Sequence, residues 1–294
     1  MNRLKGTGVA LITPFTINGV VDTKALADLV NYNIEEGVDY LVVLGTTAET
    51  VTLNASEKQM VIDTVVMTNK GRLPLVLGMG SNNTMALVED IQRADLSDFQ
   101  AILSVTPYYN KPTQHGLIAH FKAVASATSK DIILYNVPGR TGVDMSVDTI
   151  IELSEIPNII GIKEASDSSD KIKQLIKRSP EEFLVISGDD ATASKTVLAG
   201  GDGVISVLGQ ALPKAFSSMI TAALESNCAL ARLLDTQLAE LSELIFEEGN
   251  PAGIKVLCAY LGYGTAHVRL PLVKASSALE SKLLNALEHQ KSIA

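Results

Sequence analysis

A closed (β/α)8 TIM barrel followed by a small helical region is predicted by three features of this 294-residue sequence. Eight apolar runs have the length of strands, an amphipathic segment follows each, and strand signals stop after about residue 226. The runs occupy 8–13, 40–45, 74–78, 101–105, 131–135, 159–163, 183–187 and 203–207, are rich in Val, Ile and Leu, and end in small, polar or aromatic residues. Such continuous apolar character marks strands covered on both faces, as parallel strands beneath crossover helices are. Between them, segments such as 23–30 and 56–62 place apolar residues three and four apart with charges in the gaps, the period of a helix with one buried face. An open doubly wound sheet holds as many units, but its fingerprint is missing: no third glycine follows Gly78 and Gly80 at the required spacing, and there is no GxxxxGK[ST] loop. The expected organisation is a catalytic barrel over 1–226 and a C-terminal helical region over 227–294, with helical patterns at 229–234 and 277–284. No low-complexity linker separates the two, so the second is expected to pack on the first.

Composition narrows the function. A hydrophobic content of 46% supports one large core. The net charge of −9, without clustered Lys and Arg, argues against a nucleic-acid partner. No apolar stretch reaches the roughly 18 residues of a membrane helix, and the N-terminus runs directly into strand-like sequence. A cytoplasmic protein without membrane contact or signal peptide is expected. Cys228 and Cys258 lie in helix-patterned sequence and read as reduced core thiols. His115, His120, His267 and His289 are scattered, which predicts no metal site, and neither Ser187 nor Ser206 sits in a GxSxG elbow.

In a barrel of this kind the chemistry gathers at the C-terminal ends of the strands. Lys163 ends the sixth run at the barrel mouth, partly withdrawn from water, where an amine can attack a carbonyl. A strand-end lysine that reaches solvent or pairs with a carboxylate fits the same position. Tyr135, one strand earlier, offers a phenol for the proton transfers of a Schiff-base reaction. Thr46 and Thr47 follow Gly45 at the end of the second run and can offer hydroxyls and backbone N–H groups to a carboxylate; taken alone, the pair reads as an ordinary strand end or helix cap. Arg140, in a Gly-Arg-Thr-Gly loop, is suited to bidentate binding of a second carboxylate, or to bracing the loop. Asp189 and Asp190 precede a helical segment and read as an N-cap with first-turn charge rather than a metal site.

Nearly end to end, the chain resembles the dihydrodipicolinate synthase (4-hydroxy-tetrahydrodipicolinate synthase) family, in the superfamily that includes N-acetylneuraminate lyase. The residues that carry the likeness are 6–15, the Gly-Thr-Thr motif at 45–47, 107–110, 135–142, 161–165, 187–190 and Arg269-Leu270-Pro271. The resemblance implies condensation of pyruvate with L-aspartate 4-semialdehyde on Lys163, in lysine and diaminopimelate synthesis, with no cofactor beyond the covalent pyruvate imine. It implies a proton relay of Tyr135, Thr46 and Tyr109, and substrate contacts from Thr47, Ile205, Arg140 and Gly188. It further implies a homotetramer built from dimers, in which Tyr109 reaches the neighbouring subunit's site.

Two positions depart from the family pattern. Ala48 stands where glycine is common, and Ala55, Lys58 and Ala86 stand where lysine-inhibited relatives place histidines and a glutamate. The second departure predicts weak or absent inhibition by lysine, because an added cation and a lost carboxylate disfavour a cationic effector. Sialic-acid and keto-sugar aldolases share the lysine and tyrosine, and Arg140 is the residue that separates this chain from them. A silent barrel that binds a keto acid is the reading from another class, and it requires a missing lysine or relay.

Overall fold

A computed structural model of the chain describes residues 4–166 and 168–293, so the first three residues of the expected unprocessed N-terminus lie outside it. Eight parallel strands form the barrel: β1 (Gly6–Ala10), β2 (Tyr40–Val43), β3 (Leu75–Gly78), β4 (Ala101–Val105), β5 (Asp131–Asn136), β6 (Ile159–Glu164), β7 (Leu184–Ser187) and β8 (Gly203–Ser206). They pair in chain order and close through β8 and β1. The amphipathic segments are the crossover helices, Thr23–Glu35 and Ala55–Asn69 among them.

Each apolar run overlaps a strand, and the largest shift is in β1. Gly6 and Thr7 pair with Gly203 and Val204, so the strand begins earlier than the apolar run. Leu11 N still donates to the Val42 carbonyl at 3.1 Å, and a side chain then takes over: Ile12 N donates to Gln210 Oε1 at 2.8 Å, and Gln210 Nε2 donates to the Ala10 carbonyl at 2.9 Å. Leu11 and Ile12 are both buried, which accounts for their apolar character beyond the end of the strand.

Alternation along each strand divides the apolar residues between two cores. Val42, Val76, Leu103, Ile133, Ile186 and Ile205 fill the barrel, while Leu41, Val43, Leu77, Ile102, Leu134, Ile162 and Val185 pack beneath the helices. Strands buried on both faces are therefore the reason the sequence pattern is continuous.

The region after the barrel holds helices Cys228–Leu244, Ala252–Tyr260 and Ser277–Ile293. Cys258 is buried as expected, but Cys228 is exposed, which corrects its reading as a core thiol. It opens its helix directly after the Asn227 cap, and the first turn faces solvent there. Among the described residues no helix is long and apolar enough to cross a membrane.

Candidate active site

Register sets the centre of the site. Tyr135 pairs with Lys163 across β5 and β6, and Lys163 pairs with Ile186 of β7. Strand alternation points both Tyr135 and Lys163 inward, one layer above Ile133 and Gly161. Lys163 is only 5% exposed, and its Nζ lies over the Tyr135 ring, 4.4 Å from the centroid. It makes no ion pair and no side-chain hydrogen bond among the described residues, so its nitrogen is not committed to a neighbour. Glu164 faces the other side of the strand, where Lys171 meets it at 3.0 Å and Asn136 Nδ2 donates to it at 2.9 Å. Space for the lysine stem comes from Gly188: a β-carbon there would sit 3.1 Å from Lys163 Cε and 2.7 Å from Ala165 Cβ.

A cavity of about 700 Å³ opens above this pair, walled by Thr46, Thr47, Tyr135, Arg140, Lys163 and Gly188, together with Tyr108, Val207 and Asn250. Two residues named from the sequence are not in its wall. Ile205 is buried at 1% exposure in the barrel interior, and Val207, two residues further on, takes the lining position. Tyr109 projects outward, 87% exposed, on a backbone with φ +77°, while Tyr108 turns to the cavity.

Arg140 is exposed on the short helix Pro138–Thr141 and has no ion-pair partner among the described residues. The loop around it is stapled to the strand ends. Asn136 Nδ2 donates to Asp144 Oδ1 at 2.7 Å, Met145 N donates to Asn136 Oδ1 at 3.0 Å, and Lys171 pairs with both Asp144 and Glu164. The loop that carries the guanidinium is thus anchored.

The threonines lie on a tight turn after β2. Leu44 and Glu49, both non-glycine, take left-handed backbone angles (φ 55° and 52°) on either side of the 3-10 turn Thr46–Ala48. Gly78 makes room for it, since a β-carbon there would meet the Leu44 carbonyl oxygen at 2.3 Å. Ala48 is buried and keeps a negative φ, so the methyl absent from the commoner glycine introduces no backbone strain. Thr46 is exposed to the cavity, whereas Thr47 is buried and accepts a hydrogen bond from Asn250 Nδ2 at 2.9 Å. Sequence reasoning missed Asn250; its Asn-Pro dipeptide signals a turn and nothing about the site.

Asp190 also differs from its sequence reading. The following helix, Ala193–Leu198, is capped at Thr192, and Asp189 bonds locally to Thr192 N at 3.1 Å. Asp190 instead crosses to the end of β8, where it accepts from Ser206 Oγ, from Val207 N at 3.0 Å and from Leu208 N at 3.1 Å. It thereby fixes the turn that presents Val207. Burial pushes its carboxyl up to about 6 against the opposing pull of those donors. The folded chain therefore holds this proton more tightly than the unfolded chain, whose ordinary value is 3.8. The group's contribution to stability is greatest below pH 3.8 and declines as pH rises through about 6. The decline is worth on the order of 3 kcal/mol. Denaturant unfolding at pH 4 and pH 7 should show the native chain losing that amount relative to Asp190→Asn; parallel profiles for the two would rule the assignment out.

Among the described residues, no group of three or more His, Cys, Asp or Glu side chains is placed to hold a metal ion.

Comparison with known proteins agrees with this fold. The family model of the Dihydrodipicolinate synthetase family matches residues 3–290. The 4-hydroxy-tetrahydrodipicolinate synthase of Flavobacterium psychrophilum is 51% identical over 284 residues, 96% of this chain and 97% of the relative. That of Neisseria meningitidis is 46% identical over 285 residues, covering 97% and 98%. Among solved structures, the dihydrodipicolinate synthase of Aquifex aeolicus superposes with a TM-score of 0.94 at 40% identity, covering 98% of each chain. The chloride-inhibited enzyme of Acinetobacter baumannii, complexed with pyruvate, gives 0.95 at 41% identity, covering 98% of this chain and 99% of that one.

Proposed function

The chain belongs to the dihydrodipicolinate synthetase family, and from that premise we propose that it condenses pyruvate with L-aspartate 4-semialdehyde to give 4-hydroxy-tetrahydrodipicolinate. The observation that carries this reading is a buried, uncommitted lysine beside a tyrosine, beneath an arginine with no partner among the described residues. Lys163 Nζ attacks the keto carbon of pyruvate, and loss of water leaves the imine. Removal of a methyl proton gives the enamine, whose carbon attacks the aldehyde of the second substrate. That substrate's amine then closes the ring on the imine carbon and releases Lys163.

Tyr135 is placed to carry the protons of these steps, with Thr46 and Tyr109 as its relay. Thr47 and Gly188 serve the pyruvate end, and Arg140 takes the carboxylate of the semialdehyde. Ile205 acts from beneath, as part of the packed floor. The outward Tyr109 suits a residue supplied across a subunit boundary, in a homotetramer built from dimers. The reaction needs no cofactor besides the covalent pyruvate imine, and the proposed setting is the cytoplasm.

The test offers purified protein pyruvate with either L-aspartate 4-semialdehyde or N-acetylmannosamine and follows pyruvate consumption. Reaction with the semialdehyde alone supports the proposal; reaction with the amino sugar alone overturns the second substrate and the role of Arg140. Regulation gives a separate prediction. Ala55 and Lys58 lie on helix Ala55–Asn69 and Ala86 on helix Thr84–Arg93, at the positions where the family resemblance implies histidine and glutamate side chains in lysine-inhibited relatives. Activity should stay flat as L-lysine is titrated to millimolar concentrations, and strong sub-millimolar inhibition would refute this.

A further inference from the structure

Glu49 and Lys255 form an ion pair with almost no access to water: their side chains are 1% and 0% exposed. The pair joins the turn after β2 to helix Ala252–Tyr260, which lies beyond the barrel. We propose that Glu49 and Lys255 are positioning residues for the reaction, holding the Thr46–Thr47 turn in the shape that binds the carboxylate of pyruvate. This inference rests on the reading of that turn given above.

Three observations support it. First, Glu49 is the junction of two 3-10 turns, Thr46–Ala48 and Thr50–Thr52, and sits at φ 52°, where a residue with a side chain is strained. Such a conformation persists when contacts over-determine it, and both carboxylate oxygens of Glu49 are engaged. Lys255 holds Oε1, and Arg269 N donates to Oε2 at 2.8 Å. Second, the partners are themselves fixed. Lys255 Nζ donates to the His267 carbonyl at 2.9 Å and lies 4.1 Å from the centroid of the Phe15 ring. The Arg269 guanidinium donates to Thr52 O at 2.9 Å and to Glu57 Oε2 at 2.9 Å. Third, Asn250, from the same C-terminal region, donates to Thr47 Oγ1 at 2.9 Å. That bond occupies a lone pair of the hydroxyl and leaves its proton to be donated into the cavity.

A buried ion pair is a poor device for stability alone, because an apolar pair of similar size is often as good or better. Glu49 and Lys255 are explained by the geometry they impose on the turn. The barrel supplies the lysine, and the region after it sets the anion-binding turn.

The double variant Glu49→Gln/Lys255→Met removes both charges without leaving either one unpaired; Glu49→Gln alone, which keeps an amide oxygen for Lys255 but removes its counter-ion, is the single-site companion. Thermal unfolding and circular dichroism report folding. Borohydride trapping across a range of pyruvate concentrations reports half-saturation at Lys163, and steady-state rates report KM for each substrate. The double variant is expected to fold, to reach the native extent of trapping at saturating pyruvate, and to need about tenfold more pyruvate to do so, the worth of one well-placed hydrogen bond. Glu49→Gln should move in the same direction. The KM for the aldehyde should stay near the native value, a split that general loosening of the fold would not give.

Native pyruvate half-saturation in a folded double variant, or in Glu49→Gln should the double variant not fold, overturns the inference alone. If the native protein itself forms no reducible adduct, the reading of the site fails, and this inference with it.

Discussion

Lys163→Ala is expected to fold, to form no borohydride-reducible adduct with pyruvate, and to turn over at least about a thousandfold more slowly, a loss of ~4 kcal/mol in transition-state stabilisation. Folding should survive because Lys163 makes no ion pair or side-chain hydrogen bond among the described residues, and the space it vacates opens to the cavity. Its neighbours Tyr135 and Ile186 keep their ladder partners on either side. Mass spectrometry of the trapped protein is the direct measurement. An adduct of the same mass persisting in the variant would place the nucleophile elsewhere.

The second large effect belongs to Arg140. Arg140→Met keeps the length and apolar stem of the side chain and removes its fork of donors. The KM for L-aspartate 4-semialdehyde should rise about a hundredfold, since a bidentate carboxylate contact of two charge-assisted hydrogen bonds is worth ~3 kcal/mol. Pyruvate trapping on Lys163 should be unchanged, because the arginine is anchored on a different loop. Among the described residues no carboxylate loses a partner in the variant, so stability should barely move. An unchanged aldehyde dependence would remove Arg140 from substrate recognition, and loss of trapping would give it another role.

Much of this architecture is legible in the sequence for a physical reason. Strands covered on both faces announce themselves as unbroken apolar runs, and the strand-end rule then selects Lys163, Tyr135, Thr46, Thr47 and Arg140 from a long chain. The structure brings those five to one cavity. What the sequence conceals are contacts between residues far apart in the chain. Asn250 reaches Thr47 across 203 positions and Lys255 reaches Glu49 across 206, and no local pattern encodes either meeting. Asp190 misleads because a carboxylate before a helix has an ordinary local use, and its actual partners lie at the end of the next strand. Cys228 misleads because helical periodicity does not say which residue of a first turn will be covered. Tyr109 stands in a Pro-Tyr-Tyr-Asn motif that does not tell which tyrosine faces the cavity, and its outward position goes with a left-handed backbone that no local pattern announces.

The packed interior of the barrel has a consequence for the timing of the reaction. Ile133, Ile186 and Ile205 close the space below Lys163, so nothing approaches the amine from underneath. In the proposed reaction both substrates, the released water and the product would pass through the cavity above it. In the proposed reaction the keto acid occupies the deeper berth and the aldehyde the outer one, and an aldehyde that arrived first would stand in the doorway. In that reaction depth would become sequence in time, with the packed floor of the barrel favouring arrival of the keto acid before the aldehyde.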